Sequence, residues 1–425
     1  MPEASVYRYI SPAASPREDP KGFIEGARGF IREHVKPEDR VKIMVSGGVD
    51  SSVTAALFHL EIGDRLHVTH VDTGFMRLIK GREEPELVAD MFAGFSNFKL
   101  VDGRSLFYER VMGIPEAEDK RLGFRKAYEI ITDREMADSR CNVMTQGTIL
   151  PDIIETDGRV KSQHNVHLRF EKVERLVEPI AGLCKDEVRK VAECLISTYG
   201  LTALENVIRR QPFPGPGLSI RAVGRVNPEK LSIEKRVNDL VESMIEEYTR
   251  KVYGIDLYID PETGEQVPFQ SFAAIFDSEL RETPALVKRE LERYGIMQSV
   301  LMDTRVTGVK DTGEIGKRRF ERIYSRPICI RDNIEDYGTL REVGLSVPIK
   351  TNYSRVLYKI TSGEEGSPYS TVIRSVRSVD AMSADIFEIP LEKLREIGEK
   401  ILTVCNVTEV YFDVSGKPPA TIEYE

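Results

Sequence analysis

Long apolar runs are missing from this chain. No stretch approaches the roughly 20 apolar residues that a membrane-spanning helix needs, and the segment Met1 to Pro20 has no apolar core of the secretory kind. Cysteine is scarce: Cys141, Cys184, Cys194, Cys329 and Cys405 are scattered, odd in number, and form no C-x-x-C pair. Neither they nor the 6 histidines show metal-ligand spacing. The expectation is a reduced, cytoplasmic protein without zinc. Positive charge is not in excess either. A net charge of −9 argues against a large nucleic-acid footprint, and the basic run Gly316–Arg322 reads as a solvated helix face. No internal repeat is present.

What the chain has is a short glycine turn in a telling place. An apolar run at Val41–Val45 leads into Ser46-Gly47-Gly48-Val49-Asp50-Ser51-Ser52, and Val53-Thr54-Ala55-Ala56-Leu57 follows. That pattern reads as strand, tight turn and first helical turn. Two glycines let backbone N–H groups close around an oxyanion, and the helix end offers its unpaired N–H groups and dipole to the same anion. Ser46, Ser51 and Ser52 add hydroxyl donors, and Asp50 sits where a carboxylate holds the Mg²⁺ of a nucleotide triphosphate. The turn carries no lysine, so it is not the G-x-x-x-x-G-K-[ST] loop of ordinary nucleotidases. A plain strand–turn–helix junction is the competing explanation.

At 425 residues the chain has room for two or three domains. Residues 1–20, polar and rich in Pro and Ser, read as a loosely held extension. Apolar spacing predicts a helix over Phe23–His34 and strands at Val41–Val45, Arg65–Val71, Lys99–Asp102 and Asn142–Thr145, with helical segments between them. Such alternation predicts an α/β fold with a doubly wound parallel sheet over residues 21–210, whose carboxyl edge carries Val71-Asp72-Thr73-Gly74. From about 151 to 175 periodicity is lost, and a lid over the site is expected there. Regular structure resumes with a helix from Lys185 to about Tyr199. Arg210-Gln211-Pro212-Phe213-Pro214-Gly215-Pro216-Gly217 admits neither helix nor strand and marks a boundary. Residues 211–425 then mix long amphipathic helices with β-rich segments, a smaller α+β domain.

These residues resemble the ATP-pyrophosphatase part of GMP synthetase. The likeness rests on the Ser46–Ser52 loop, Val71–Gly74, Gln146–Glu155, Lys161–Val166, Lys185–Arg189, Arg210–Leu218 and Lys417-Pro418-Pro419-Ala420-Thr421-Ile422-Glu423. The proline–glycine run and the Lys417–Glu423 segment are its most specific pieces. The resemblance implies adenylation of xanthosine monophosphate (XMP), displacement of AMP by ammonia, and pyrophosphate as leaving group. It implies ATP contacts from Val45, Ser46, Gly47, Gly48, Val49, Asp50, Ser51, Ser52, Val71 and Asp72, although core packing or N-capping explains the last two equally well. Asp50, as Mg²⁺ ligand, and the lid residue Lys161 are the implied catalytic residues; His164 shares the lid. Arg121, Asp311, Lys417, Thr421 and Glu423 are the implied XMP contacts.

Three departures stand out. Too little chain precedes Val45 for a glutaminase domain, which implies a separate glutaminase subunit as ammonia donor. The lid reads Asn165-Val166-His167-Leu168-Arg169-Phe170 where the family has a Gly-Gly-Leu-Pro continuation. Ile328–Glu364 looks like an insertion. Besides the leading reading, a paralogue adenylating another acceptor and a non-catalytic nucleotide-sensing subunit remain open. The resemblance also implies a homodimer built by the second domain.

Overall fold

The computed structural model describes residues 4–157, 173–208, 210–254, 258–259, 266–267, 270–311, 320–364, 366–378 and 383–425. Its contacts divide the chain into two compact units. One comprises residues 1–76, 82–110 and 122–215; the other comprises 77–81, 111–121 and 216–425.

The first unit is built on six parallel strands. Their spatial order is Ser5–Arg8, Arg175–Glu178, Val143–Thr145, Val41–Met44, Leu66–Asp72 and Phe98–Asp102. The alternation of side chains along each strand feeds two layers of helix. Val41, Ile43, Leu66, Val68 and Val143 face a core shared with the helices Pro20–His34, Val49–Ile62 and Lys185–Tyr199. Their neighbour Lys42 points to the opposite face, where its Nζ meets Glu135 Oε2 at 3.3 Å on the helix Ala117–Ser139. Helices therefore cover both faces of a parallel sheet, the doubly wound arrangement. From Val41–Met44 the chain proceeds outward through Leu66–Asp72 and Phe98–Asp102. It then returns to Val143–Thr145, on the other side of Val41–Met44, and builds the sheet in the opposite direction. The carboxyl ends of Val41–Met44 and Val143–Thr145 form the topological switch point.

The second unit holds a mixed sheet. Its strands run in the order Gln270–Asp277, Tyr369–Arg377, Glu409–Asp413, Val356–Ser362, Ile328–Ile330, Ser299–Met302 and Leu280–Glu282, with Asp385–Ile386 paired to Tyr369–Arg377. The helix Pro228–Tyr253 packs on Gln270–Asp277, and the helix Leu391–Val404 packs on Val356–Ser362 and Glu409–Asp413.

Four segments change or add to the sequence expectations. The segment 1–20 is not merely an extension: Ser5–Arg8 is an edge strand, paired in parallel with Arg175–Glu178. Of the expected lid, about 151–175, the start is helical, over Leu150–Asp157, and the end meets the strand Arg175–Glu178; residues 158–172 lie outside the described residues. Ile328–Glu364, expected as an insertion, supplies two interior strands, Ile328–Ile330 and Val356–Ser362, and the helix Tyr337–Thr351. Finally, residues 77–81 and 111–121 belong with 216–425, so the boundary near Gly215 is only one of several crossings.

Candidate active site

The glycine turn lies at the switch point. Val45 N–H donates to Thr69 O at 2.8 Å, which ties the end of one central strand to its neighbour. His70 reinforces that tie: its Nδ1 lies 2.7 Å from Val45 O. Burial pushes the His70 pKa down, and a carbonyl can only accept. The hydrogen is therefore on Nδ1.

Within the turn, Gly47 has φ of +83°, and a Cβ there would lie 2.7 Å from Val88 Cγ2. Both facts demand glycine. Gly48 caps the helix Val49–Ile62 without a side-chain bond. Serines brace the loop from inside: Ser46 N–H donates to Ser51 Oγ at 3.2 Å, and Ser51 Oγ donates to Gly48 O at 3.2 Å. The first N–H groups of the helix have no intrahelical acceptor and stay available to an anion. Gln146-Gly147-Thr148, after the other central strand, closes over this turn. A Cβ on Gly147 would fall 2.7 Å from Ser51 N and 2.8 Å from Asp50 C, so only glycine permits the approach.

Asp50 stands in the first helical turn. Its Oδ2 pairs with Lys185 Nζ, while Oδ1 is buried and has no hydrogen-bond partner among the described residues. Lys185 opens the helix Lys185–Tyr199, held at its start by Glu187 Oε2 accepting from Cys184 N–H at 2.8 Å. One turn along, Arg189 is also within electrostatic reach of Asp50, although burial dominates and pushes its pKa down. Two cationic side chains and one carboxylate oxygen without a partner among the described residues thus flank a turn whose first helical N–H groups lack intrahelical acceptors. The donor set fits Mg²⁺, a hard ion that takes one or two carboxylates plus substrate phosphate oxygens and water. Among the described residues no group of three or more His, Cys, Asp or Glu could cage a metal by itself.

Val71 and Asp72 end the adjacent strand. Val71 is buried. Asp72 Oδ1 accepts Gly74 N–H at 2.8 Å, and its Oδ2 lies 3.6 Å from Arg104 Nε. Lys161 and His164 lie outside the described residues.

The sequence-derived acceptor residues all belong to the second unit. The chain from Lys417 to Tyr424 runs beside the strand Val306–Asp311: Val309 N–H donates to Pro419 O at 2.7 Å and Thr307 N–H to Tyr424 O at 2.8 Å. Asp311 ends that strand, and its side chain lies outside the description. Lys417 is pinned through its main chain, which exchanges two bonds with Ala384 at 2.7 and 3.0 Å, and its side chain is half-buried. Thr421 is engaged internally, its Oγ1 accepting from Arg355 Nη2 at 2.9 Å and lying 3.1 Å from Thr307 O. Glu423 is gripped by Arg221 through Nε at 3.1 Å and Nη2 at 3.0 Å. Arg121 donates to Glu425 O and, at 3.3 Å, to Glu118 Oε1, a carboxylate that Arg322 also holds. Burial and the neighbouring Arg322 both push the Arg121 pKa down, as expected for crowded guanidinium groups that an anion would relieve.

The sequence alone assigns no role to Lys185, Arg189 or Gln146–Thr148, although each lies in a stretch that carries the resemblance. Lys185 and Arg189 are cations one turn apart at a helix start, a pattern that could have pointed to the site. The partnership of Arg221 with Glu423 leaves no local signal.

A GMP synthase C terminal domain model matches residues 360–424. A subunit of the glutamine-hydrolyzing GMP synthase of Saccharolobus solfataricus is 34% identical over 416 residues, 96% of this chain and 100% of that protein. The subunit of the same description from Methanocaldococcus jannaschii is 34% identical over 409 residues, 96% of this chain and 99% of its own. Among solved structures, the NH3-dependent NAD synthetase of Campylobacter jejuni covers 44% of this chain and 77% of its own, at 13% identity and a TM-score of 0.32, too loose an overlap to bear on function. With nearly the whole length matched at this identity, the chain belongs to the family of these glutamine-hydrolyzing GMP synthase subunits.

Proposed function

We propose that this chain is the ATP-dependent ligase that aminates XMP to GMP, with ammonia supplied by a separate glutaminase subunit. The observation that carries the reading is the turn at the switch point, where open N–H groups, Lys185, Arg189 and an Asp50 Oδ1 without a partner among the described residues converge. The 2-oxo group of a purine leaves poorly as hydroxide. Attack of that oxygen on the α-phosphorus of ATP releases pyrophosphate and converts it to a phosphate ester. Ammonia then adds at C2, and AMP departs with the former oxo oxygen.

In this scheme the turn from Val45 to Ser52 holds the β and γ phosphates, and Lys185 and Arg189 neutralise charge as pyrophosphate leaves. Asp50 would hold Mg²⁺, which when bound supplies further neutralisation at the phosphate oxygens. Val71 and Asp72 lie at the strand end proposed for adenosine, and Lys161 on the lid is proposed to reach the phosphates. Arg121, Asp311, Lys417, Thr421 and Glu423 are proposed for XMP: cations for its phosphate, Glu423 for a base N–H. A cytoplasmic location accords with the reading, and no helix among the described residues is long and apolar enough to cross a membrane. Self-association through the second unit is proposed as well, supported by Met297 and Ile349, 71% and 67% exposed.

Incubating the purified chain with ATP, Mg²⁺, ammonium and XMP tests the reading. AMP, pyrophosphate and GMP should appear in equal amounts, and glutamine should replace ammonium only when a glutaminase subunit is added. ADP and orthophosphate formed in step with turnover would refute it. No response of pyrophosphate release to XMP would instead favour the paralogue. A narrower outcome concerns Lys417→Ala. Loss of one charge-assisted contact to phosphate, about 1.5–3 kcal/mol, should raise the KM for XMP about ten- to hundredfold while the KM for ATP holds steady.

A further inference from the structure

Glu423 is held with unusual completeness. A carboxylate offers about four lone-pair sites. Arg221 Nη2, at 3.0 Å, and Gln270 Nε2, at 2.9 Å, fill Oε1, and Arg221 Nε, at 3.1 Å, takes one site on Oε2. Among the described residues, one acceptor direction on Oε2 is left over, in a side chain 18% exposed.

The guanidinium that aims it is itself locked. Arg221 is fully buried, stacks 4.0 Å from the centre of the Phe272 ring, and donates through Nη1 to Asn238 Oδ1 at 3.1 Å. Two more carboxyls compete for it, both on the helix Pro228–Tyr253. Glu242 Oε1 lies 3.7 Å from Arg221 Nη1. Yet Glu242 is taken by Arg77, whose Nη1 donates to its oxygens at 3.0 and 2.9 Å, and by Asn238 Nδ2 at 2.9 Å. Glu234, two turns earlier, is fully buried with neither oxygen partnered among the described residues. Burial pushes its pKa well up despite the nearby Arg221, and since neither of its oxygens bonds the guanidinium it is a weak rival. Spacing of four residues puts Glu234, Asn238 and Glu242 on one helix face, and this polar ridge leaves the fork of Arg221 to Glu423.

We propose that Arg221 is a positioning residue that fixes the free lobe of the Glu423 carboxylate toward an N–H of the acceptor base, and that the Arg77–Glu242 pair keeps Arg221 from turning away. The proposal rests on the reading of Glu423 as an acceptor contact. A planar fork can hold both carboxylate oxygens at once, whereas an ammonium holds one point and lets the carboxylate swing.

Steady-state kinetics of the full chain with XMP, ATP and ammonium provide the test. Arg221→Lys should raise the KM for XMP about tenfold, with the KM for ATP unchanged and kcat altered far less. Combined with Glu423→Gln, it should add almost nothing to the effect of Glu423→Gln alone, because it acts through that residue. An unchanged KM for XMP in Arg221→Lys, or full additivity in the pair, overturns the proposal. If Glu423→Gln itself leaves the KM for XMP unchanged, the reading of Glu423 fails and the proposal falls with it, a result distinguishable from failure of Arg221 alone. Should Arg221→Lys not fold, Arg77→Met carries the test. It frees Glu242 to draw Arg221 off, so a raised KM for XMP supports the proposal and an unchanged one overturns it.

Discussion

Asp50→Asn should lower XMP-dependent pyrophosphate release by about a hundredfold to a thousandfold, the usual loss when a preorganised group at a developing charge is removed. Three features of the site make the effect large. Asp50 stands in the first helical turn after Gly47 and Gly48, the glycines proposed to hold the phosphates. Its Oδ1 is buried and unsatisfied among the described residues, a state that costs free energy unless a partner completes it. Its Oδ2 holds Lys185, which asparagine would hold only weakly through a neutral amide oxygen. The Mg²⁺ concentration for half-maximal rate should rise as well. Far-ultraviolet circular dichroism and the unfolding midpoint should change little, because the pair with Lys185 is partly exposed and contributes little to stability. Near-normal turnover in Asp50→Asn would remove Asp50 from the metal's ligands.

The largest loss of stability is expected elsewhere, from Asp413→Asn. Asp413 is fully buried and receives Arg355 at 2.6 Å, Tyr424 Oη at 2.9 Å and Ser415 N–H at 3.0 Å, with Arg374 Nη1 at 3.2 Å. Both guanidinium groups are fully buried too. The substitution preserves shape but leaves two interior cations without a counter-ion, a change worth about 3–5 kcal/mol. Urea unfolding monitored by tyrosine fluorescence would measure it, and a loss below about 1 kcal/mol would contradict this account. The pH dependence has a definite sign. Burial pushes the Asp413 pKa up, but Arg374 and Arg355 outweigh it and leave the folded value below 3.8. Its contribution is therefore fully present above the unfolded carboxyl's pKa of about 4 and is lost as pH falls through the lower folded value.

Much of the first unit was legible because local signals and tertiary placement agree. The run Val41–Val45 is apolar and ends at glycines, and Val41–Met44 is a central strand. The helix Lys185–Tyr199 has an apolar stripe and a following glycine, Gly200, and it ends there. Legibility fails where polar groups are buried. The helix Ala117–Ser139 buries Phe124, Ala127 and Ile131, but also Lys120, Thr132 and Glu135, so its inward face shows no clean apolar period. Ser5–Arg8 is only four residues long, and a strand partner 170 positions away is invisible to a local window. The same reasoning applies to the candidate site. Glycines and a strand end announce the turn itself. Its companion Lys185 comes from 135 positions downstream, and Arg221 reaches Glu423 across 202.

The division of the chain has a consequence for synthesis. Because 77–81 and 111–121 belong with 216–425, the polypeptide passes between the two units five times. Lys120 is fully enclosed, satisfied by Ser219 O, Ala222 O and, at 2.5 Å, Glu425 Oε2. On a ribosome that lysine emerges 305 residues before its carboxylate. An expression vector ending at Gly215 would strand it without any of those partners, and one starting at Pro216 would leave Glu425 without Lys120. Neither half is a clean module for recombination, and swapping halves between homologues should fail unless both short segments travel with the C-terminal part.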